Sequence, residues 1–379
     1  MPKSLLFSLM VFLIISITSC KKEVTANFEP ASTTVTQGNT VNFEDKSTGE
    51  PTNWEWTFEG GTPATSTLQN PTVTYDAEGS FSVTLKVNNK KTEDTKEVIG
   101  AITVNTFVNY EDQFFTDFVK TENVNYGVDA TEHIMHIYEP EGDSRQERPF
   151  VFLFGGGAFQ GSNLTQLEPM AAELTKYGIV VGVARYRSGP SGTAIESASR
   201  MVEGQQDTRA AVRFIRANAE TYRVDTDKIF HGGYGTGGYL ALLHSYMAED
   251  EIPANQINFV NSLGGWEGSQ GNAGYSSEVN ACISWSGGLY TSRDQILEGD
   301  VPLYCIHGDN DMEAPYDYEL LGVDDTAFGP VKLIERATSK NIYNGLYTIA
   351  GGSHNSPVSD YVNYTPSLME FIKYVVENF

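Results

Sequence analysis

The sequence predicts an all-β sandwich followed by an α/β domain built on a doubly wound, mostly parallel sheet. Over residues 24–104, short runs of alternating apolar and polar residues are separated by turn residues, a pattern typical of β-sandwiches. Over residues 122–379, strand-like apolar segments alternate with longer segments of helical pattern. This alternation predicts a parallel sheet with helices on both faces. Residues 105–121 are predicted to form a linker with a short helix.

The β-sandwich prediction rests on several short strand-like segments. In one of them, Trp54, Trp56 and Phe58 alternate, so they share one face and are expected in the core. A role for the tryptophans in stacking against sugars is the alternative. The segments together resemble a PKD domain, which implies an extracellular spacer or interaction module without chemistry of its own. The resemblance is carried by residues 54–58, 70–75 and 79–85.

The α/β prediction assigns each later segment to a strand or a helix. In such sheets ligands bind at the carboxyl ends of the strands, so the loops that follow the strands share the functional edge. Strands are expected over residues 133–138, 149–154, 179–184, 228–232, 279–285, 301–306 and 345–350. Helices are expected over residues 166–177, 200–221, 236–248, 330–339 and 365–378.

Residues 233–237 read Gly-Tyr-Gly-Thr-Gly and carry the most information about function. They lie between a β-branched segment at 228–231 and an apolar helical segment at 239–243. A strand that enters a helix through small residues is the context of the nucleophile elbow, G-x-S-x-G. Gly235 stands at the apex, where a serine hydroxyl would be presented. The sequence therefore predicts a hydrolase framework without a hydroxyl at the point of attack.

Three further segments complete that framework. Residues 152–157 form an apolar strand that ends in a glycine run, which can turn backbone N–H groups toward a developing oxyanion. Residues 302–308 form a strand that leads to Asp311, and residues 346–350 lead to His354. The order of elbow, aspartate and histidine resembles that of the α/β-hydrolases, in their HGGG-type carboxylesterase branch.

The resemblance covers residues 122–379 and includes two more motifs, Arg185-Tyr186-Arg187 after a strand and residues 206–216 in a helix. It implies a role for individual residues. Asp311 corresponds to the acid that orients the base and His354 to the base, with Asp309 as the alternative acid and His307 as a supporting or core histidine. Gly235 occupies the position of the nucleophile, and Phe154 replaces the histidine of the HGGG run. The oxyanion hole is expected from Gly155, Gly156, Gly157 and Thr236, and the pocket walls from Phe159, Tyr186, Tyr234 and Trp285.

Two functions of different classes follow from these residues. One is a carboxylesterase-like enzyme that acts on small acyl esters or on ester groups of extracellular polysaccharide, with His354 activating water directly. The other is an inactive pseudo-hydrolase that serves as a ligand-binding or scaffolding lipoprotein. Gly235 favours the second, whereas Asp311, His354 and the glycine run favour the first. No cofactor is implied, and the histidines show no metal-ligand spacing, so no metal site is expected.

The net charge and the cysteine count bear on the class of partner and on the class of scaffold. The net charge of −24 makes nucleic acid an unfavourable partner, because its phosphates would be repelled. Three cysteines exclude a scaffold stapled by disulfides. Cys282 and Cys305 are predicted on neighbouring strands, as buried thiols or, alternatively, as a bridge.

The N-terminus resembles a bacterial lipoprotein signal. Lys3 precedes an apolar run at residues 5–17, and Thr18-Ser19-Cys20 follows it. The run is short for a bilayer span. The resemblance implies lipid on Cys20 and a protein anchored to a membrane of the cell envelope. Both the periplasmic face and the surface face are compatible with the sequence. A plain secretory signal is the alternative.

Overall fold

The computed structural model describes residues 23–105, 110–159, 163–189, 193–252, 254, 256–290, 293–314, 316–317, 319–321 and 326–379. The chain divides into two compact units, Met1–Thr106 and Phe107–Phe379. The predicted signal segment with Cys20 lies outside the described residues. Among the helices that are described, none combines the length and the apolar character needed to cross a bilayer.

The first unit is a sandwich of two sheets. Over the described residues, one sheet has the order β1-β3-β7-β5 and the other the order β2-β9-β8-β4-β6. The strands are β1 (Phe28–Pro30), β2 (Thr34–Thr36), β3 (Asn39–Asp45), β4 (Asn53–Phe58), β5 (Gly61–Thr62), β6 (Thr65–Ser66), β7 (Thr72–Tyr75), β8 (Gly79–Asn88) and β9 (Glu93–Asn105).

The core of this sandwich confirms the alternation along β4. Trp56 and Phe58 are buried and stack with ring centroids 5.6 Å apart, and Phe43 packs against both. The Trp56 indole N–H donates to the Leu68 carbonyl at 2.8 Å, so its one polar group is satisfied inside. Trp54, two residues before Trp56, is half-buried, and its indole N–H donates to an Asp45 carboxylate oxygen at 2.7 Å. Burial leaves no ring face of Trp56 for stacking against a sugar.

As far as its residues are described, the second unit is built on an eight-stranded sheet of order β10-β11-β13-β12-β14-β15-β17-β20. The pairs β10–β11 and β11–β13 are antiparallel, and the pairs from β13 to β20 are parallel. A small sheet of order β16-β19-β18 accompanies it. The strands are β10 (Phe118–Asn125), β11 (Ile134–Pro140), β12 (Arg148–Phe154), β13 (Val180–Ala184), β14 (Val224–Tyr234), β15 (Ala281–Trp285), β16 (Leu289–Tyr290), β17 (Leu303–Gly308), β18 (Glu319–Leu321), β19 (Thr326–Phe328) and β20 (Asn344–Ile349).

Helices cover both faces of the large sheet. Along β12, Val151 and Leu153 face a core shared with α1 and α8, whereas Phe152 and Phe154 face a core shared with α2 and α4. This alternation, with every residue of the strand buried, is what a doubly wound sheet requires. The helices are α1 (Glu168–Thr175), α2 (Ala194–Ala217), α3 (Ala219–Tyr222), α4 (Thr236–Tyr246), α5 (Ile257–Ser262), α6 (Pro330–Ser339), α7 (Ser356–Ser359) and α8 (Tyr361–Asn378), with short 3-10 turns at Leu164–Gln166, Glu249–Glu251 and Arg293–Gln295.

The predicted fold class is confirmed, and the boundary between the domains is corrected. Each predicted strand and helix of the second domain overlaps an observed one. However, β10 begins at Phe118, inside the predicted linker, and pairs with β11 in the large sheet. The amides of Phe114 and Phe115 already donate to the Lys176 carbonyl of the same unit. Sequence patterning does not reveal β10 because this edge strand is largely exposed and carries no continuous apolar run.

Cys282 and Cys305 lie on the neighbouring strands β15 and β17, as expected. Both are buried and carry free thiols. Burial raises the pKa of the Cys282 thiol to about 12. The buried-thiol interpretation therefore describes this pair.

Candidate active site

The elbow forms where β14 enters α4. Gly235 connects them with φ of +54° and ψ of −118°. Residues that carry a Cβ adopt this backbone conformation only with strain. The Gly235 N–H donates to the Trp285 carbonyl at 2.8 Å. Two residues later, a Cβ on Gly237 would stand 2.1 Å from the carbonyl oxygen of Phe154, so the turn packs directly against the backbone of β12.

Asp311 and His354 form a hydrogen-bonded pair beside this elbow. Asp311 follows β17 and His354 follows β20, so both lie at the carboxyl edge of the sheet. The His354 Nδ1 is 2.8 Å from the Asp311 Oδ2. The Asp311 Oδ1 accepts from the amides of Glu313 and Ala314 at 2.8 and 3.0 Å. Both oxygens of this buried carboxylate are therefore engaged.

The charge of Asp311 is stabilised in place. Burial alone would raise the pKa of its carboxyl, but contacts with His307 and His354 and the two amide hydrogen bonds hold it well below the usual range. Asp311 is ionised at neutral pH. Its Oδ2 therefore only accepts, which assigns the proton of His354 to Nδ1 and leaves Nε2 as the basic nitrogen.

The basic nitrogen of His354 faces the apex of the elbow. A Cβ added at Gly235 would stand 3.1 Å from the His354 Nε2. The base is thus aimed at the place where a nucleophile side chain would begin. The Ser286 hydroxyl donates to the His354 carbonyl at 2.7 Å and fixes the backbone behind the ring.

Tyr234 flanks the apex without replacing the nucleophile. Its ring centroid is 5.2 Å from that of His354, and its hydroxyl donates to the Asn355 side-chain oxygen. Burial raises the pKa of Tyr234 to about 12. The phenol therefore stays protonated at neutral pH and is a poor nucleophile.

His307, predicted as a supporting or core histidine, and Asp309, the alternative acid, have separate roles. His307 is fully buried, and its Nε2 lies 3.0 Å from the Asp311 Oδ2. The two atoms are close, but their geometry does not meet that of a hydrogen bond. Asp309 accepts from the Gly351 amide at 2.6 Å and thereby holds a turn. Asp311, and not Asp309, contacts His354.

A strained loop faces the elbow. We call residues 155–159, which follow β12, the glycine loop. Gly157, Ala158 and Phe159 have φ values of +131°, +51° and +60°. Such a conformation costs about 1–3 kcal/mol for each non-glycine residue and persists only where the surroundings fix it. The Ala158 amide donates to the Thr236 Oγ1 at 2.9 Å, so this hydroxyl holds the loop instead of pointing at the apex.

The elbow, the base and the glycine loop surround one pocket of about 730 Å³. Its wall combines aromatic faces with amide, hydroxyl and carboxylate groups. Several of these residues were missed from the sequence, because they lie in loops and first helical turns without a motif. The lining residues are Gly156, Gly157, Ala158, Phe159, Asn163, Gln166, Ser197, Tyr234, Gly235, Thr236, Tyr239, Glu313, Ala314, Ala327, His354 and Asn355.

Of the residues predicted for the oxyanion hole and the pocket walls, three lie outside this wall. Tyr186 is fully buried beneath the glycine loop, where its hydroxyl donates to the Gly155 carbonyl at 3.0 Å. Gly155 is buried by the same contact and lines no part of the pocket. Trp285 is fully buried because its ring packs over Gly232, whose Cβ would stand 2.6 Å from it. The prediction of Tyr186 and Trp285 as pocket walls is therefore wrong.

No group of three or more His, Cys, Asp and Glu side chains suited to hold a metal ion occurs within the described parts of the chain.

Comparisons with known proteins agree with both domains. The PKD domain family model matches residues 25–98, and the model of the BD-FAE family of α/β-hydrolase esterases matches residues 135–289. The second match includes Gly235 but ends before Asp311 and His354, so these two residues are supported by geometry. A comparison with curated proteins finds no match.

Solved structures show the same fold. A truncated carbohydrate esterase from gut microbiota shares 20% identity and a TM-score of 0.53, over 70% of this chain and 98% of its own. Esterase 2 of the planctomycete Thermogutta terrifontis, with butyrate bound, shares 19% identity and a TM-score of 0.51, over 69% and 94%. The same esterase phosphonylated by cyclosarin shares 20% identity and a TM-score of 0.51, over 67% and 93%. The chain therefore consists of a PKD domain followed by an α/β-hydrolase domain of the esterase-like fold.

Proposed function

We propose that the α/β-hydrolase domain binds carboxylic esters in its pocket and hydrolyses them slowly, with water in place of a serine nucleophile. The observation that carries this proposal is the position of the His354 Nε2, which faces the vacant apex at Gly235 while Asp311 holds the opposite nitrogen. The geometry fits general-base chemistry on a small molecule.

The reaction needs no covalent intermediate. A water oxygen attacks the carbonyl carbon, and its proton passes to the His354 Nε2. Asp311 stabilises the imidazolium, and the donors that we propose for the oxyanion are the backbone N–H groups of Gly156, Gly157 and Thr236. The tetrahedral intermediate then expels the alkoxide, which takes the proton from His354. Acid and alcohol leave, and the enzyme is restored.

The substrates that we propose are small acyl esters and ester groups of extracellular polysaccharide. Support comes from the mixed wall of the pocket, where the aromatic rings of Phe159 and Tyr239 stand beside the polar side chains of Asn163, Gln166 and Asn355. Aromatic faces with nearby amides suit a hydroxyl-rich ligand. The accompanying PKD domain and the fold shared with a carbohydrate esterase agree with this class.

Ester hydrolysis by the unmodified chain is expected to be slow and to depend on His354. Triads that lose a member retain about 10³–10⁴-fold acceleration over water from the oxyanion hole and binding. We expect p-nitrophenyl acetate turnover without a burst. In His354→Ala the rate is expected to fall by at least about 10²-fold, the lower bound for general-base catalysis. The matched control is His136→Ala, which removes a histidine that contacts Glu168 outside the pocket. Equal turnover by His354→Ala and the unmodified chain would contradict the proposal.

Gly235 itself favours a second function, ligand binding without turnover. In this alternative the same pocket holds an ester that is never cleaved. Saturable binding of a short-chain ester, measured by calorimetry and lost in a pocket variant such as Phe159→Asp, would assign this function if the ester is recovered intact. Hydrolysis that requires His354 would exclude it.

We further propose that lipid on Cys20 anchors the protein in the cell envelope. When the chain is expressed with its own N-terminus in a bacterium, labelled palmitate is expected to enter the protein and to be lost in Cys20→Ala. Cys282→Ser, which changes a buried thiol, is the control and should retain the label. Secretion of the unmodified chain without label would favour a plain secretory signal.

A further inference from the structure

We propose that the ion pair between Arg187 and Asp207 positions the glycine loop and so sets how well the pocket stabilises charge on a bound carbonyl oxygen. Neither residue lines the pocket. Arg187 belongs to the motif at residues 185–187 and Asp207 to the motif at residues 206–216, and neither motif contributes a residue to the pocket wall. The kinetic part of the test rests on the proposed hydrolysis, whereas its amide-exchange part is independent of any activity.

The glycine loop is held at both ends by a neighbouring loop, residues 185–189, which we call the Arg187 loop. At one end, the Tyr186 hydroxyl donates to the Gly155 carbonyl at 3.0 Å. At the other end, the Gly189 amide donates to the Phe159 carbonyl at 2.9 Å. The strained residues lie between these two contacts. Since such backbone persists only where its surroundings fix it, the Arg187 loop is one of the structures that hold it.

The Arg187 loop is irregular and depends on Asp207 of α2 for its own position. Asp207 is fully buried, and its Oδ2 accepts from the Arg187 amide at 2.7 Å. The Arg187 Nε lies 3.0 Å from each carboxylate oxygen, and its Nη2 lies 2.8 Å from Oδ1. The same Nη2 donates to the Gln206 side-chain oxygen at 3.0 Å. One carboxylate thus fixes both the backbone and the side chain of Arg187.

The geometry requires arginine in particular. A planar guanidinium reaches Asp207 and Gln206 with separate, divergent N–H groups, whereas an ammonium offers a single point of charge. Lysine at residue 187 would keep the charge beside the buried carboxylate but not the set of bonds. The change from arginine to lysine therefore separates positioning from charge neutralisation.

The first test measures hydrogen exchange in the full chain labelled with ¹⁵N only at glycine and alanine. In Arg187→Lys, the amides of Gly189 and Ala158 are expected to exchange at least about tenfold faster, because both hydrogen bonds of the glycine loop loosen. The Gly235 amide, which donates to the Trp285 carbonyl, serves as the internal reference and should not change. Arg185→Lys is the matched control, since it makes the same substitution two residues away.

The second test measures ester hydrolysis. Backbone donors that face an oxyanion act in the transition state, so a misplaced glycine loop is expected to lower kcat by about tenfold with KM nearly unchanged in Arg187→Lys and Asp207→Asn. A structural role alone would lower the amount of folded protein without this split.

The outcomes separate the two proposals. If the unmodified chain hydrolyses no ester, the proposed function fails and the exchange rates alone decide this inference. Folded Arg187→Lys and Asp207→Asn proteins with unchanged exchange at Gly189 and Ala158 would overturn it. Global unfolding of both variants would also overturn it, because the pair would then support the whole domain and not one loop.

Discussion

Gly235→Ser is expected to raise short-chain esterase activity by at least about 100-fold over the unmodified chain. The base is already aimed at residue 235, with its Nε2 3.1 Å from the position of the new Cβ, and Asp311 already holds Nδ1. Loss of the nucleophile in a serine triad lowers kcat by about 10⁶-fold. Recovery of even a small part of that factor would therefore raise the activity by more than about 100-fold. The measurement is kcat/KM on p-nitrophenyl acetate, together with covalent labelling by a phosphonate ester, detected by mass.

The new side chain has a structural cost. A Cβ at 3.1 Å is tighter than ordinary contact, so His354 must retreat by a few tenths of an ångström. The positive φ of residue 235 adds strain of about 1–3 kcal/mol, which should lower the free energy of unfolding.

Gly235→Ala is the matched control for the serine variant. It introduces the same Cβ and the same strain without the hydroxyl, and its methyl group occupies the space of the attacking water. It should therefore lose the slow hydrolysis of the unmodified chain. A folded Gly235→Ser protein that gains no hydrolysis and takes up no phosphonate would show that the pocket no longer supports acyl transfer, and ligand binding would then be the better assignment.

Gly237→Ala is expected to destabilise the α/β-hydrolase domain by at least about 3 kcal/mol, in the range of the most damaging single substitutions. The added Cβ would stand 2.1 Å from the Phe154 carbonyl oxygen and 2.6 Å from its carbonyl carbon. Both atoms belong to the backbone of the buried strand β12, which cannot move without disturbing its two parallel neighbours. The free energy of unfolding is measured by urea denaturation of the full chain.

The control for this effect is Gly299→Ala. Gly299 has a φ of +95°, but a Cβ there meets nothing within 4 Å. In this variant the free energy of unfolding should fall by only about 1–2 kcal/mol, the cost of the left-handed backbone conformation for alanine. Equal losses in the two variants would mean that close packing of the elbow on β12 contributes nothing to stability.

The sequence by itself determined the fold class and the order of the chemical residues. The buried parallel strands are continuous apolar runs over residues 150–154 of β12 and throughout β13, and such a run can be recognised in the sequence without knowing its neighbours. The elbow could likewise be recognised from the glycines of residues 233–237, because a turn this tight leaves no room for side chains at these glycine positions. Gly235, Asp311 and His354 each follow a strand of the parallel sheet. The carboxyl ends of parallel strands lie at one edge, so the topology predicts that these three residues lie close together.

The tertiary structure alone decided which of the neighbouring side chains face the pocket. Tyr186 follows β13 and Trp285 ends β15 at the functional edge, yet contacts with Gly155 and Gly232 turn both inward. The bond between the Thr236 hydroxyl and the Ala158 amide and the strand nature of β10 were likewise not predictable from the sequence. Each depends on a partner distant in the chain, and sequence periodicity reports only whether a residue is buried, not what it touches.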